Sequence, residues 1–237
     1  MMYHLSYRTK APERYKDASM ARVLYNIKIM EAMKKWLNLN KYFLIVSGCP
    51  GSGKTYLAWA IHHYWEEKYE KFKNFILNKA PKDIDGNFLS KPFIIPLSLR
   101  HYEENDFLSE IRSRMMGGSD YQYVINILCE ADYFILDDFG TSQLTEWQKE
   151  VFFNFVNERM KTTLPTVIIS NLSEKDIKKT YGPRVSTRLF AAENTLIDVG
   201  DTNLREIFNQ EFGGKFYGGS QGNEEAFQAF SPKEEKQ

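Results

Sequence analysis

The chain has 237 residues, 43% hydrophobic and 26% charged, enough for one domain with its own core. Lys plus Arg and Asp plus Glu both number 31, so the net charge is zero. That excludes a broad DNA-coating surface, which works by neutralising phosphates, but not a local basic patch. Two cysteines are too few for a disulfide framework. No run of about 18 apolar residues asks for a membrane span, and the first ten residues lack the apolar stretch of a secretory signal. A cytoplasmic protein with no membrane partner is expected.

Residues 1–17 read as a polar, Tyr-rich extended arm. A helix is expected over 18–38, where Met20, Val23, Leu24, Ile27, Met30, Met33 and Leu37 recur at helical spacing. The apolar run Tyr42-Phe-Leu-Ile-Val46 reads as a buried strand. A helix follows from Lys54 to about Tyr69. The Lys- and Asn-rich stretch 70–91, with its Asp85-Gly86 turn signal, reads as an insertion loop. Further strands are expected at 93–97, 133–136, 166–169 and 194–199. Helices are expected over 101–116 and 120–130, split by Gly117-Gly118, and over 145–161. Strands alternating with helices point to an α/β fold, a parallel sheet covered on both faces. The expected organisation is an arm and helix over 1–39, a core over 40–212, and a mobile tail over 213–237.

The strongest chemical signal is Gly48-Cys49-Pro50-Gly51-Ser52-Gly53-Lys54-Thr55, which matches G-x-x-x-x-G-K-[ST] at every fixed position. Glycines let the backbone wrap phosphates with its N–H groups inward, and the following helix adds the positive end of its dipole. This assigns ATP to the loop, Lys54 to the β- and γ-phosphates, and the Thr55 hydroxyl to Mg²⁺. The run Tyr133-Phe-Ile-Leu136-Asp137-Asp138 ends a buried strand in two carboxylates, at the sheet edge where α/β proteins bind ligands. Asp137 suits the Mg²⁺ shell, and Asp138 suits the orientation or deprotonation of the attacking water. Asn171, at the end of Thr166-Val-Ile-Ile-Ser170, suits a place between γ-phosphate and water; a turn-forming Asn reads equally well there.

In this order the motifs resemble the AAA+ ATPases of the DnaC/DnaI helicase-loader and IstB transposition-helper group. Residues 11–19 look like the short motif that leads into the core there. Leu136-Asp-Asp-Phe-Gly140 with Phe155-Val-Asn-Glu-Arg159 is similar to its Walker B strand and next helix, and Ser170-Asn171 to the end of its sensor strand. Gly182-Pro-Arg-Val-Ser-Thr-Arg-Leu189 resembles its arginine-bearing segment, and Gly200-Asp-Thr-Asn-Leu-Arg205 a closing element. The resemblance implies a five-stranded AAA+ sheet of order 5-1-4-3-2, and self-association into a ring or spiral with shared active sites. It makes Arg188, or Arg184 one turn away, an arginine finger toward a neighbour, and Arg205 a nucleotide sensor. It implies slow ATP hydrolysis, because Asp138 stands where many AAA+ proteins have Glu. The implied partners are a replicative helicase and single-stranded DNA, or a transposase on the IstB-like alternative. The helical pair in 101–130 is similar to an insert that touches DNA in initiators and loaders, with Arg100, Arg112 and Arg114 as its basic residues. The group's separate helicase-binding domain has no counterpart in the short segment ahead of the core, and the stretch after the fifth strand is short for a helical lid. A small-molecule P-loop kinase and a nucleotide-gated binding module remain as alternatives.

Overall fold

The computed structural model describes residues 8–200, apart from 24–26, 40–41, 83, 87, 91, 93 and 141–142. Its centre is a parallel sheet of β1 (Phe43–Ser47), β2 (Leu99–Glu103), β3 (Tyr133–Phe139), β4 (Thr166–Ser170) and β5 (Thr195–Asp198), in the order β2-β3-β4-β1-β5. This is the order 5-1-4-3-2 read from the other edge, as the resemblance implies. The helices are α1 (Ile27–Leu39), α2 (Lys54–Lys79), α3 (Glu104–Met116), α4 (Tyr121–Cys129), α5 (Glu146–Thr162), α6 (Glu174–Tyr181) and α7 (Pro183–Leu189).

Because side chains alternate across a strand, each buried strand feeds two cores. Phe43, Ile45, Phe134, Leu136 and Ile168 pack with α3 to α7 on one face. Leu44, Val46, Ile135, Val167 and Ile169 pack with α1 and α2 on the other, against Met33, Trp36, Leu57, Ile61 and Trp65. Local signals set the helix ends. Thr145 and Gln148 form a reciprocal capping box on α5, and Asp120 and Ser173 cap α4 and α6 through side-chain oxygens.

Four expectations are corrected. The second strand is not at 93–97 but at Leu99–Glu103, after Pro96, which has no N–H to donate to a ladder. Ile95 is exposed instead, and the strand takes up Arg100, His101 and Tyr102, all buried. The first of the two helices begins at Glu104 rather than 101. The stretch 70–91 is not wholly a loop: α2 runs on to Lys79, about 39 Å in all at 1.5 Å per residue. Its outer half exposes Phe72 and Phe75. The Asp85-Gly86 turn is present, closed by a Lys82–Phe88 bridge. The helix expected over 18–38 is a short 3-10 turn at Met20–Arg22 followed by α1. The arm reaches β2 through an Arg8–Leu99 bridge and the Thr9 hydroxyl, which accepts from His101 N–H at 2.9 Å. Arg205 and the tail over 213–237 lie outside the described residues. No helix among the described residues is long and apolar enough to cross a membrane.

Candidate nucleotide site

The β1–α2 connection carries the sequence predicted to be the phosphate loop. Gly48 stands at φ +147, and a Cβ there would meet Val199 Cγ2 at 2.5 Å. Only glycine allows this approach, which lashes the loop to the segment after β5: Cys49 N–H donates to Gly200 O at 3.1 Å and Val199 N–H to Ser47 O at 2.9 Å. Pro50 is exposed, and Gly51, Gly53 and Thr55 are half-buried around the buried Ser52. The Lys54 ammonium lies inside the loop, donating to Gly48 O at 2.9 Å, Cys49 O at 2.7 Å and Ser52 Oγ at 3.3 Å. Burial holds its pKa below the ordinary lysine range, while Cys49, Asp137, Asp138 and Asp198 pull the other way. The loop cation and the carboxylates at the ends of β3 and β5 therefore share one electrostatic neighbourhood.

The carboxylates sit on an irregular strand end. The β3–β4 register shifts between Leu136 and Phe139, and Asp138 lies within that interval at φ +52. Such a bulge re-aims a side chain at a sheet edge, and Asp tolerates left-handed backbone better than most residues. Asp137 is buried and accepts from Asp138 N–H at 2.8 Å. Asp138 is half-buried, and burial, then the Asp137 charge, hold its carboxyl above the usual range. Glu103, paired in register with Asp137, is raised by burial, then by Asp138. Ser170 Oγ donates to Phe139 O at 2.6 Å, which fixes the end of β4 against this turn; Asn171 follows it and is exposed.

Motif reading missed the layer behind Asp137. His101 Nε2 lies 3.9 Å from Asp137 Oδ2, and its ring packs on Trp59 with centroids 3.9 Å apart. His62 lies beside both. Trp59 in turn stacks on Tyr15 of the arm, 6.3 Å away. The misplaced second strand hid His101; with the strand at 99–103 it faces the carboxylate from the next strand.

The arginines separate. Arg188 lies over the Phe153 ring at 4.7 Å and donates to Arg184 O at 3.0 Å; Arg184 lies over the same ring at 5.6 Å. Among the described residues neither is hydrogen-bonded or ion-paired to the phosphate loop. Arg100 is buried in β2 and donates to the Tyr102 hydroxyl at 3.0 Å, so it is not a DNA-facing helical residue. Arg114 is ion-paired with Glu110 at 2.7 Å, and Arg112 covers Trp147 at 5.2 Å. His62 and His63 join the aromatic layer; among the described residues no group of three metal-ligand side chains converges.

No family model matches the sequence. The replicative helicase loader DnaC of Buchnera aphidicola subsp. Baizongia pistaciae is 25% identical over 191 residues, 78% of this chain and 67% of the relative. The loader of Buchnera aphidicola subsp. Acyrthosiphon pisum is also 25% identical, over 68% of this chain and 57% of its own length. Among solved structures, a DnaC helicase loader superposes with a TM-score of 0.58 at 19% identity, covering 79% of this chain and 99% of that one. DnaI gives 0.55 at 18% identity, over 82% and 94%. DnaA bound to AMPPCP and single-stranded DNA gives 0.60 at 14% identity, over 90% of this chain and 59% of its own. Fold, motif order and sequence likeness together make this chain similar to the DnaC helicase loaders, on the α/β fold that the solved DnaC, DnaI and DnaA structures share.

Proposed function

We propose that the protein binds and hydrolyses ATP and uses it to load or remodel a replicative helicase, engaging single-stranded DNA when assembled. The observation that carries this is the gathering of Lys54, Asp137 and Asp138 at one sheet edge, in a chain similar to helicase loaders along most of its length.

The donor set suits Mg²⁺. One carboxylate, Asp137, and one hydroxyl, Thr55, are what this cation takes when phosphate oxygens and water complete its shell. Bound there, Mg²⁺ would neutralise charge on the β- and γ-phosphates. Lys54 exchanges the carbonyls of Gly48 and Cys49 for phosphate oxygens, and the loop amides cradle the chain. Asp138 accepts a hydrogen bond, then a proton, from the attacking water; its raised pKa strengthens it as a base. Asn171 holds that water from the β4 side. Arg188, with Arg184 as its alternate, reaches a neighbouring subunit's γ-phosphate and stabilises the charge that develops there. The DnaA neighbour is bound to an ATP analogue and single-stranded DNA, which supports the same two ligands here. Tyr123 is an exposed aromatic suited to base stacking; Trp147 and Tyr121 pack against the core instead.

The test is ATP turnover with and without single-stranded DNA, with light scattering on the same samples. ATP and DNA together should drive assembly and raise turnover, and a replicative helicase should co-purify with the ATP-bound form. Capture of a transposase with duplex DNA instead would move the reading to a transposition helper. A protein that binds ATP but stays monomeric and indifferent to DNA would overturn the shared-site mechanism.

A further inference from the structure

A buried carboxylate ties the water-activating turn to the arginine-bearing helix. Glu104, the first residue of α3, is only 1% exposed. Its Oε2 accepts from Gly140 N–H at 2.5 Å and from the Tyr181 hydroxyl. Gly140 stands two residues beyond Asp138, at φ +100, where a Cβ would lie 2.3 Å from Leu172 Cδ1. That backbone favours glycine, and any other residue would also have to displace the Leu172 side chain. Tyr181 ends α6, and its ring lies flat on Phe139, 3.9 Å away and 11° from parallel. The next residue, Gly182, is at φ +89 and serves both as the end of α6 and the start of α7, which carries Arg184 and Arg188. One carboxylate oxygen and one ring stack therefore bracket the Asp138 turn on one side and the α6–α7 junction on the other.

Burying a carboxylate costs several kcal/mol before its bonds are counted. An apolar side chain at this buried position would carry no such cost. What the carboxylate adds is directional: it holds one backbone N–H and one hydroxyl at fixed positions. Burial and the adjacent Glu104 keep the Tyr181 hydroxyl well above the ordinary tyrosine range, so it remains a donor.

We propose that Glu104 and Tyr181 are positioning residues that couple the Asp138 turn to α7, so that a subunit's own nucleotide state sets how it presents its arginines to a neighbour. The proposal rests on the nucleotide-site reading above. When the turn moves to accept nucleotide and water, Gly140 moves with it. The shared Glu104 oxygen and the Phe139 stack carry that displacement to Tyr181, and Gly182 is the joint at which α7 responds.

Hydrogen exchange on the full chain, held dilute enough that light scattering reports a monomer, reads this directly. The probe is AMPPCP with Mg²⁺. In the wild type the analogue should change exchange in two segments, the phosphate loop at 48–55 and the helix at 182–189. Tyr181→Phe keeps the ring stack and removes only the hydroxyl; it should keep the response at 48–55 and lose that at 182–189. Glu104→Gln retains an acceptor oxygen for both donors and should keep both responses, whereas a role in packing alone predicts that Tyr181→Phe keeps both. A Tyr181→Phe protein that still responds at 182–189, or a wild type that responds only at 48–55, overturns the coupling and leaves the nucleotide site standing. A wild type silent at 48–55 removes the nucleotide-site reading, and the coupling with it.

Discussion

Replacing Arg159 by methionine measures how much of this fold depends on one buried cation. Arg159 is 1% exposed, on the inner face of α5. Its Nε donates to Thr166 Oγ1 at 2.8 Å, Nη1 to Cys129 O at 2.9 Å and Ala131 O at 2.6 Å, and Nη2 to Pro165 O at 2.7 Å. It thus joins the α4–β3 loop to the start of β4, and its guanidinium lies 5.7 Å from the centre of the Phe134 ring. Burial lowers its pKa to about 10, which still leaves it charged at neutral pH. Methionine keeps much of the aliphatic stem and removes all four bonds. Two of the four groups retain other partners, because Pro165 O also accepts from Phe134 N–H and the Thr166 hydroxyl donates to Leu164 O. Cys129 O and Ala131 O bear the loss. At about 1–3 kcal/mol for each buried acceptor left unsatisfied, the gross cost is roughly 2–6 kcal/mol. Relief of the guanidinium's own desolvation offsets part of it. The expected net loss is about 2–4 kcal/mol, or a Tm lower by roughly 5–15 °C for a chain of this size. Urea unfolding and calorimetry without nucleotide measure both quantities. A loss under about 1 kcal/mol would refute the reasoning, because the cation's desolvation would then cancel its bonds.

The remaining predictions concern the site and its surroundings. Lys54→Ala should weaken ATP binding by about a hundredfold, the worth of one strong charge-assisted contact; titration with a fluorescent ATP analogue reads it, and unchanged affinity would remove the phosphate-loop assignment. Asp138→Asn should bind ATP normally and turn it over about 10²–10⁴-fold more slowly, so wild-type turnover in that variant would end its role as base. Arg188→Ala should lose about 10³-fold in turnover with binding intact. Adding Lys54→Ala subunits, whose arginines are whole, should restore part of that turnover, and no recovery counts against a shared site. His62 is held at a pKa of about 3, by burial first, then by His101, His63 and Arg8. Its unfolded value is near 6.5, so the unfolded chain binds the extra proton between those limits. The contribution is complete above about pH 6.5 and is lost as pH falls toward 3. Urea midpoints at pH 7 and pH 4.5 should fall less for His62→Gln than for the wild type, and equal slopes would exclude His62 as the cause.

The phosphate loop, the Asp137-Asp138 pair and the alternation of strands and helices were legible in the sequence because each is local. The glycine spacing of 48–53 and an apolar run ending in acids state their geometry within eight residues. The strand at 93–97 was misread for a physical reason: its apolar run is broken by Pro96, while the true strand is filled with Arg100, His101 and Tyr102. Those residues look like surface in sequence, and their burial depends on partners elsewhere, among them Thr9, Trp59 and Asp137. The misplaced strand concealed both His101 and Glu104.

What the sequence by itself displayed was a set of local motifs: a glycine-rich G-x-x-x-x-G-K-[ST] loop, a strand ending in two carboxylates, and two arginines four residues apart. Only the tertiary structure decided what supports them. Glu104 meets Tyr181 across 77 positions of chain, Phe43 N–H meets Asn194 Oδ1 across 151, and the loop at Gly48 closes on Val199. No spacing rule reaches so far, because contacts of that range form when a sheet of order β2-β3-β4-β1-β5 brings distant segments to one edge, and the energy that holds them comes from burial the linear chain does not display.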